Sequence, residues 1–484
     1  MLPQQTLRGL TLLAAALAVN VLAAAPLLKS PVDEQMIRIK DVPHVAQKPD
    51  FCGEACAAMY LQKLGWHVSQ DYVFNQSGLD PLEARGCYTR ELAVALTKIG
   101  FRTGQVWYRI PVQGARAAID AQWQALLADL KAGVPSIVCM HYDGSPTTTE
   151  HFRLILGYDP ANDAVIYHEP AAAHGAYRQM PRATLEKLWP LPGGQRASTV
   201  IRLRLEPGRM APQPAAPESF TAADFAQHLM KLKRKIPKGF TVVIEPPFVV
   251  LGDDPPEEVE RRARDTVRWA VVKLKAAYFR KDPREILDIW LFKDDDSYRS
   301  HCTSIFHETP DTPYGFFSAS EGALIMNIST GGGTLVHEIV HPFVAANFPH
   351  CPAWFNEGLG SLYEKSGEVA GQIHGFTNWR LVGKYGLQEA IRHHRVPSFK
   401  TLCSTSDEEF YGADEGTNYS QARYLCYYLQ EHELLGKFYR RFHADRVKDP
   451  TGYATLQAVL GRRDMGVFKK EWEAWVLKLR FPAR

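Results

Sequence analysis

The sequence predicts an α+β chain of two globular units, and three observations support that expectation. Residues 52–131 carry helical periodicity and residues 134–170 carry short apolar runs; LEPGRMAPQPAAPESF, 205–220, then interrupts the pattern; and beyond 334 nearly every periodic stretch is helical. At 484 residues and 45% hydrophobic, the chain is too long for one core and rich enough in apolar side chains to bury two or three. The formal charge is only +3, with Lys and Arg interleaved among Asp and Glu, so nucleic-acid binding has no electrostatic footprint.

The first residues read as a targeting segment. Arg8 precedes the apolar run GLTLLAAALAVNVLAAA, which ends in Ala23, Ala24 and Ala25, small residues that suit a signal peptidase. A signal peptide over 1–25 is expected, giving a secreted or periplasmic chain with no stable membrane insertion; the alternative is a short membrane anchor, for which the run is brief. In an oxidising compartment several of the eight cysteines, at 52, 56, 87, 139, 302, 351, 403 and 426, could pair. Cys139, inside VPSIVCM, suits a buried free thiol.

In the unit 26–204, CGEACAAMYLQKLG places Ala57, Tyr60, Leu61 and Leu64 on one helix side, and TRELAVALTKIG and AQWQALLADLKAG are two more helices stopped by glycine. VPSIVCMHY, HFRLILGYD and DAVIYHEP read as strands separated by turn residues. The prolines of 205–220 deny backbone donors, so an extended linker is expected there. In the unit 221–484, FTVVIEPPFVVLG and ILDIWLFKD are strand-like around the helix EEVERRARDTVRWAVVKLKAAYF, a small mixed sheet ahead of a mainly helical region.

Two constellations carry chemistry. Cys52 opens the first helix, where unpaired backbone N–H groups and the helix dipole favour a thiolate. Gln47, five residues upstream, can aim its amide at an oxyanion. His151 opens a strand and Glu169 closes the next, so a hairpin would bring general base and orienting carboxylate together. Cys52 and Cys56 as a structural pair is the competing reading. His141, Asp159, Asp163 and His168 compete for the two partner roles, with Glu169 preferred over His168 because alternation puts them on opposite faces.

The run Q-x4-CGEACAAM, with GCYTRELAVALTKIGF, GVPSIVCMHY, HFRLILGY and HEP, resembles the C39-type, papain-like cysteine peptidases over roughly 40–195. The resemblance implies a papain-like fold with Cys52 as nucleophile, His151 as base, Glu169 as third member and Gln47 in the oxyanion hole. The third position is usually Asp, so Glu169 is one methylene longer. Members of that family cleave peptides, and some domains of this shape act mainly in binding.

The second constellation is HEIVH, 337–341. Two imidazoles four residues apart on a helix share one face, and Leu335, Val336, Ile339 and Val340 make the rest of that helix apolar, so unpaired polar groups there would be costly. PAWFNEGLGSLYE supplies Glu357 on the following helix. His337, His341 and Glu357 are the natural three ligands for zinc (Zn2+), with Glu338 beside the open position as proton acceptor. His350, with Glu364 behind it, competes as third ligand.

HExxH followed by W-x-N-E-G resembles the gluzincin metallopeptidases, from about 240 to 470. The resemblance implies a zincin-like domain with Glu357 as third zinc ligand, and an Asp four residues beyond it to support the first histidine. That place is Ser361, which leaves the support of His337 open. NYSQARYLCYYLQ is similar to the later helix that brings a tyrosine over the metal, and Tyr419 is its match; Tyr424, Tyr427 and Tyr428 read as packing residues. EGALIMNISTGG, 321–332, is expected to be an edge strand against which an extended peptide could pair. The expected function is hydrolysis of peptide bonds in peptide or protein substrates at a zinc site and a cysteine site. The alternative is a zinc peptidase whose first half only binds peptides.

Overall fold

A computed structural model describes residues 35–194, 197–412 and 417–481. The expected signal peptide lies outside the described residues. In the first half, β1 (Ile37–Arg38) precedes helices α1 (Cys52–Lys63), α2 (Gln70–Ser77) and α3 (Thr89–Ile99). Then come β2 (Phe101–Arg102), β3 (Trp107–Ile110), α4 (Ala115–Lys131), β4 (Ser136–His141), β5 (Glu150–Asp159) and β6 (Ala164–His168). β7 (Arg178–Pro181), α5 (Arg182–Leu188), β8 (Leu191–Pro192) and β9 (Ser198–Arg204) complete it. The sheet runs β3-β9-β4-β5-β6-β7, with β1 joining β5 and β8 joining β9.

Strand alternation gives this sheet two apolar faces. Phe152, Leu154 and Leu156 of β5 pack with Ala55, Met59 and Leu92 of the helices before the sheet, while Ile155 joins Trp123, Leu126 and Leu130 of α4 on the other side. Three helices come before most of the sheet, but β1 precedes them, β2 and β3 precede α4, and α5 lies between β7 and β8, so the region is a mixed α+β unit. Sequence periodicity misses α2 and β9, which lie between stronger signals.

The stretch 205–220 is only partly an extended linker. β10 (Glu206–Pro207) pairs with β2, and the Ala211 N–H donates to Ile99 O at 2.9 Å, so its first residues dock on the first half. The helix that follows, α6 (Ala222–Leu232), has a Thr221/Asp224 capping box and two apolar sides. Ala223 and Ala226 complete the first half's core, and Phe225, Leu229 and Leu232 belong to the second's.

The second half builds a five-stranded sheet in the order β11-β12-β13-β15-β14. FTVVIEPPFVVLG folds as the hairpin β11 (Thr241–Glu245) and β12 (Phe248–Gly252). The expected long helix forms as α7 (Pro256–Arg262) and α8 (Trp269–Ala277), joined by a π-helical stretch at 263–268. β13 (Leu287–Phe292), α9 (Asp295–His301), β14 (Gly315–Ser318) and β15 (Ala323–Asn327) follow. One correction concerns 321–332: β15 is held on both sides, parallel to β13 and antiparallel to β14, so the edge strand on that side of the sheet is β14. All five β15 residues are buried, as an internal strand of a two-faced sheet requires.

Helices α10 (Gly333–Asn347) and α11 (Ala353–Tyr363) carry HEIVH and NEG. After a short hairpin at 366–375 come α12 (Leu387–Arg392), α13 (Phe399–Ser404), α14 (Asp407–Gly412) and α15 (Thr417–Glu431). The chain is thus a mixed α+β region followed by a largely helical one. Among the described residues no helix is long and apolar enough to cross a membrane.

Candidate active sites

Cys52 is the first residue of α1, and Gly53 explains how the strands reach it. A Cβ at 53 would lie 2.7 Å from Leu92 Cδ2 and 3.1 Å from the Phe152 ring, so glycine lets the start of β5 close on the helix without displacing either side chain. The loop before Cys52 is pinned from several directions. Gln47 N–H donates to Pro170 O at 2.9 Å, Lys48 N–H to Gln70 Oε1 at 2.8 Å, and Gln227 Nε2 of α6 to Pro49 O at 3.0 Å. The Gln47 side-chain oxygen is buried without a hydrogen-bond partner.

His151 and Glu169 meet as the hairpin argument expects. β5 and β6 pair with Leu154 opposite His168, which sets Glu169 beside Arg153 and within reach of His151. His151 Nε2 lies 2.5 Å from Glu169 Oε1, and Arg153 Nε donates to Glu169 Oε2 at 2.6 Å. The carboxylate is held low because the His151 bond and charge and the Arg153 charge outweigh its burial. The competitors serve elsewhere. His168 turns toward Met59, 3.4 Å from its sulfur, and burial pushes it down to about 4. Asp159 caps a turn through the Ala161 N–H and Asp163 accepts from the Tyr158 hydroxyl; the His141 carbonyl accepts from Arg153, and the His141 ring Nδ1 is buried without a hydrogen-bond partner.

The expectation of an acidic thiol is overturned. Burial pushes Cys52 up to about 11, against backbone hydrogen bonds led by Phe152, the neighbour of His151, and Glu54 adds to the rise. The helix N-terminus is real, but desolvation outweighs it. All eight cysteines are free thiols, so the expected disulfides are absent, and Cys139 is buried as expected.

Glu54 is a residue that the sequence reading missed. It is fully buried with one oxygen accepting from the Cys87 N–H at 2.7 Å and the other unpartnered, and burial raises its carboxyl to about 7. An acid whose folded pKa is raised contributes stability below its unfolded value, near 4.3, and loses that contribution as pH rises to 7. Glu54→Gln is expected to remove this loss, on the order of 3 kcal/mol between pH 5 and 8 by urea denaturation. Equal pH slopes in variant and parent would refute the assignment.

The second site rests on α10 and α11. Leu335, Ile339, Val340 and Phe343 bury one side of α10, leaving the imidazoles turned toward α11. Gly333 and Gly360 allow the approach: a Cβ at 333 would sit 2.1 Å from Glu364 O, and one at 360 would touch the His337 ring at 3.3 Å. His337, Glu338 and His341 offer ligand atoms within 4.8 Å of one another. Glu357 joins them, with Oε2 3.1 Å from His337 Nε2 and Oε1 3.8 Å from His341 Nε2. Ligand atoms about 2.0–2.1 Å from a tetrahedral zinc stand roughly 3.3 Å apart, so two imidazoles and a carboxylate at these separations fit zinc.

The other ring nitrogens face polar partners, His341 through a hydrogen bond and His337 through a carboxylate at ion-pair distance. His341 Nδ1 lies 3.0 Å from Asn356 Oδ1, and His337 Nδ1 lies 3.3 Å from Glu364 Oε1, which leaves both Nε2 atoms facing Glu357. Glu364 is anchored by Arg380 Nε and Nη2 at 3.0 and 2.7 Å and by Asn378 Nδ2 at 2.9 Å. The buried Ser361 Oγ has no partner, so the support of His337 falls to Glu364, one turn further along. Burial alone would lower His337, but the close Glu357 and Glu364 carboxylates raise it to about 10. Glu364→Ala is expected to weaken zinc retention about 10–100-fold in chelator competition. Unchanged retention would remove Glu364 from this role.

His350 sits exposed in the turn after α10 and outside the cluster. Tyr419 packs on Phe410 and Tyr411, with the Arg380 guanidinium 5.2 Å from its ring centre. Tyr411 of α14, which no periodicity singles out, donates its hydroxyl to Glu357 Oε1 at 2.9 Å. Tyr424 is buried and bonded to Asn378, a packing residue as expected.

Comparison with known proteins bears on the first half. No curated protein matches the chain. Among solved structures, a chain from "Structure of EndoMS-dsDNA2 complex" aligns at 12% identity over 39% of this chain and 88% of that one; its TM-score of 0.10 supports no structural relationship. Residues 39–197 match the family described as Peptidase_C39 like, and this N-terminal region, with Cys52, His151 and Glu169 inside it, belongs to that family.

Proposed function

We propose that the chain is an exported peptidase with a gluzincin-like zinc site in its second half and a papain-like cysteine site in its first. The observation that carries the reading is the approach of His337 Nε2 and His341 Nε2 to Glu357, with Glu338 alongside. Zinc held there would supply Lewis acidity toward a carbonyl oxygen and toward water. Glu338, raised by burial, is suited to take a proton from the attacking water and deliver it to the leaving amine. Asn356 holds the His341 tautomer, the Glu364 carboxylate faces His337 Nδ1, and the Tyr419 and Tyr411 phenols, which burial keeps protonated, are donors beside the cluster.

In the first half, the neutral thiol of Cys52 requires His151 to remove its proton during attack, with Glu169 stabilising the resulting imidazolium. The same raised thiol favours a second reading, in which this half has lost chemistry and binds peptides. Metal analysis together with cleavage of a peptide library, with and without chelator, tests both. Bound zinc and chelator-sensitive cleavage support the first site, and cleavage that survives the chelator supports the second. A chain that binds no zinc and cleaves nothing rules out the proposal.

A further inference from the structure

We infer that Arg153 is the positioning residue of the cysteine site: it clamps one oxygen of Glu169 so that the other is held on His151. The inference rests on the cysteine-peptidase reading above. Glu169 has one more side-chain torsion than aspartate, so its carboxylate needs restraint to serve one ring nitrogen. Each oxygen is restrained. Oε1 accepts from the Ala171 N–H at 3.1 Å in addition to its 2.5 Å contact with His151 Nε2, and Oε2 accepts from Arg153 Nε at 2.6 Å.

Arg153 is itself fixed at its far end. Its Nη2 donates to Tyr142 O at 2.8 Å and its Nη1 to His141 O at 3.3 Å, which ties the guanidinium to the segment closing β4. The Tyr142 and Tyr167 rings lie 5.4 and 5.8 Å from it, and Tyr142 also meets the His151 ring edge-on at 5.1 Å. His151, Arg153 and Glu169 are 6%, 5% and 4% exposed, so the three form one enclosed unit. Strand geometry explains how two of them act together, because residues two apart on β5 point to the same face. A planar guanidinium with several fixed donors can span a carboxylate and two carbonyls, which an ammonium cannot do in one orientation.

The test uses the full-length protein and two readouts: the rate of Cys52 alkylation by iodoacetamide, followed by peptide mass spectrometry, and the downfield proton resonance of the His151 Nε2–H bonded to Glu169. His151→Ala is expected to slow alkylation about 100-fold. Arg153→Lys, which keeps the charge and loses the fork, is expected to slow it about tenfold and to abolish the downfield resonance. If Arg153→Lys fails to fold, Arg153→Met/Glu169→Gln, which leaves no buried charge alone, is compared with Glu169→Gln and is expected to be slower still. If His151→Ala slows alkylation while Arg153→Lys leaves both readouts unchanged, or the double variant alkylates at the rate of Glu169→Gln, the clamp is overturned and the cysteine-peptidase reading stands. If His151→Ala itself alkylates at the parent rate, that reading fails and the clamp fails with it.

Discussion

Glu338→Gln is expected to lower chelator-sensitive peptide cleavage by about 10²–10⁴-fold while zinc content stays at the parent level. The separation of the two readouts follows from where Glu338 stands. It offers a carboxylate oxygen within 4.8 Å of ligand atoms of His337 and His341, while Glu357 approaches both Nε2 atoms from α11, at 3.1 and 3.8 Å, and takes the third ligand place in the proposed site. Glutamine preserves the volume and the hydrogen-bonding outline but cannot accept and release a proton. Burial, the largest influence on Glu338, raises its carboxyl, and a base nearer neutrality transfers a proton in both directions more readily. Parent-level cleavage in the variant would sink the assignment of the base, and loss of zinc would move Glu338 among the ligands.

The two sites differ in how far the sequence discloses them. HEIVH and NEG were legible because each is a short-range pattern: helical spacing puts two imidazoles on one face, and apolar residues identify the buried side. Glu364 was visible only as a neighbour of His350, since its role depends on Arg380 and Asn378, brought from beyond the next hairpin. Tyr411 could not be read at all, because its contact with Glu357 spans fifty-four residues and α14 has no periodicity that marks it. For the fold, the runs that became β4, β5 and β6 stood out through their turns. The rank of β15 within its sheet did not, because strand order depends on long-range pairing and the apolar run reads the same at an edge or inside. The same limit applies to 205–220. Proline content marks where regular structure stops, but the docking of 206–211 on β2 and Ile99 depends on the partner surface.

Cys52→Ala is expected to reduce chelator-resistant cleavage to background and to leave the chelator-sensitive fraction intact. The thiol is the only group at the start of α1 that can form an acyl intermediate, and the oxyanion and binding contributions that survive its loss do not replace a nucleophile. Cys56 supplies the control. It lies one turn along the same helix, buried, with its sulfur 3.8 Å from Phe152 O, so its thiol is spent on packing and Cys56→Ala is expected to keep the cleavage. The raised Cys52 thiol adds a directional expectation: Glu54, which contributes to that rise, should speed Cys52 alkylation when neutralised as Glu54→Gln. Chelator-resistant cleavage that persists in Cys52→Ala would exclude Cys52 as nucleophile. If the parent shows none, while a peptide still binds the first half with an affinity that Cys52→Ala leaves unchanged, the binding reading replaces the catalytic one, because a neutral, half-buried thiol contributes to packing in either case and to chemistry only when His151 can take its proton.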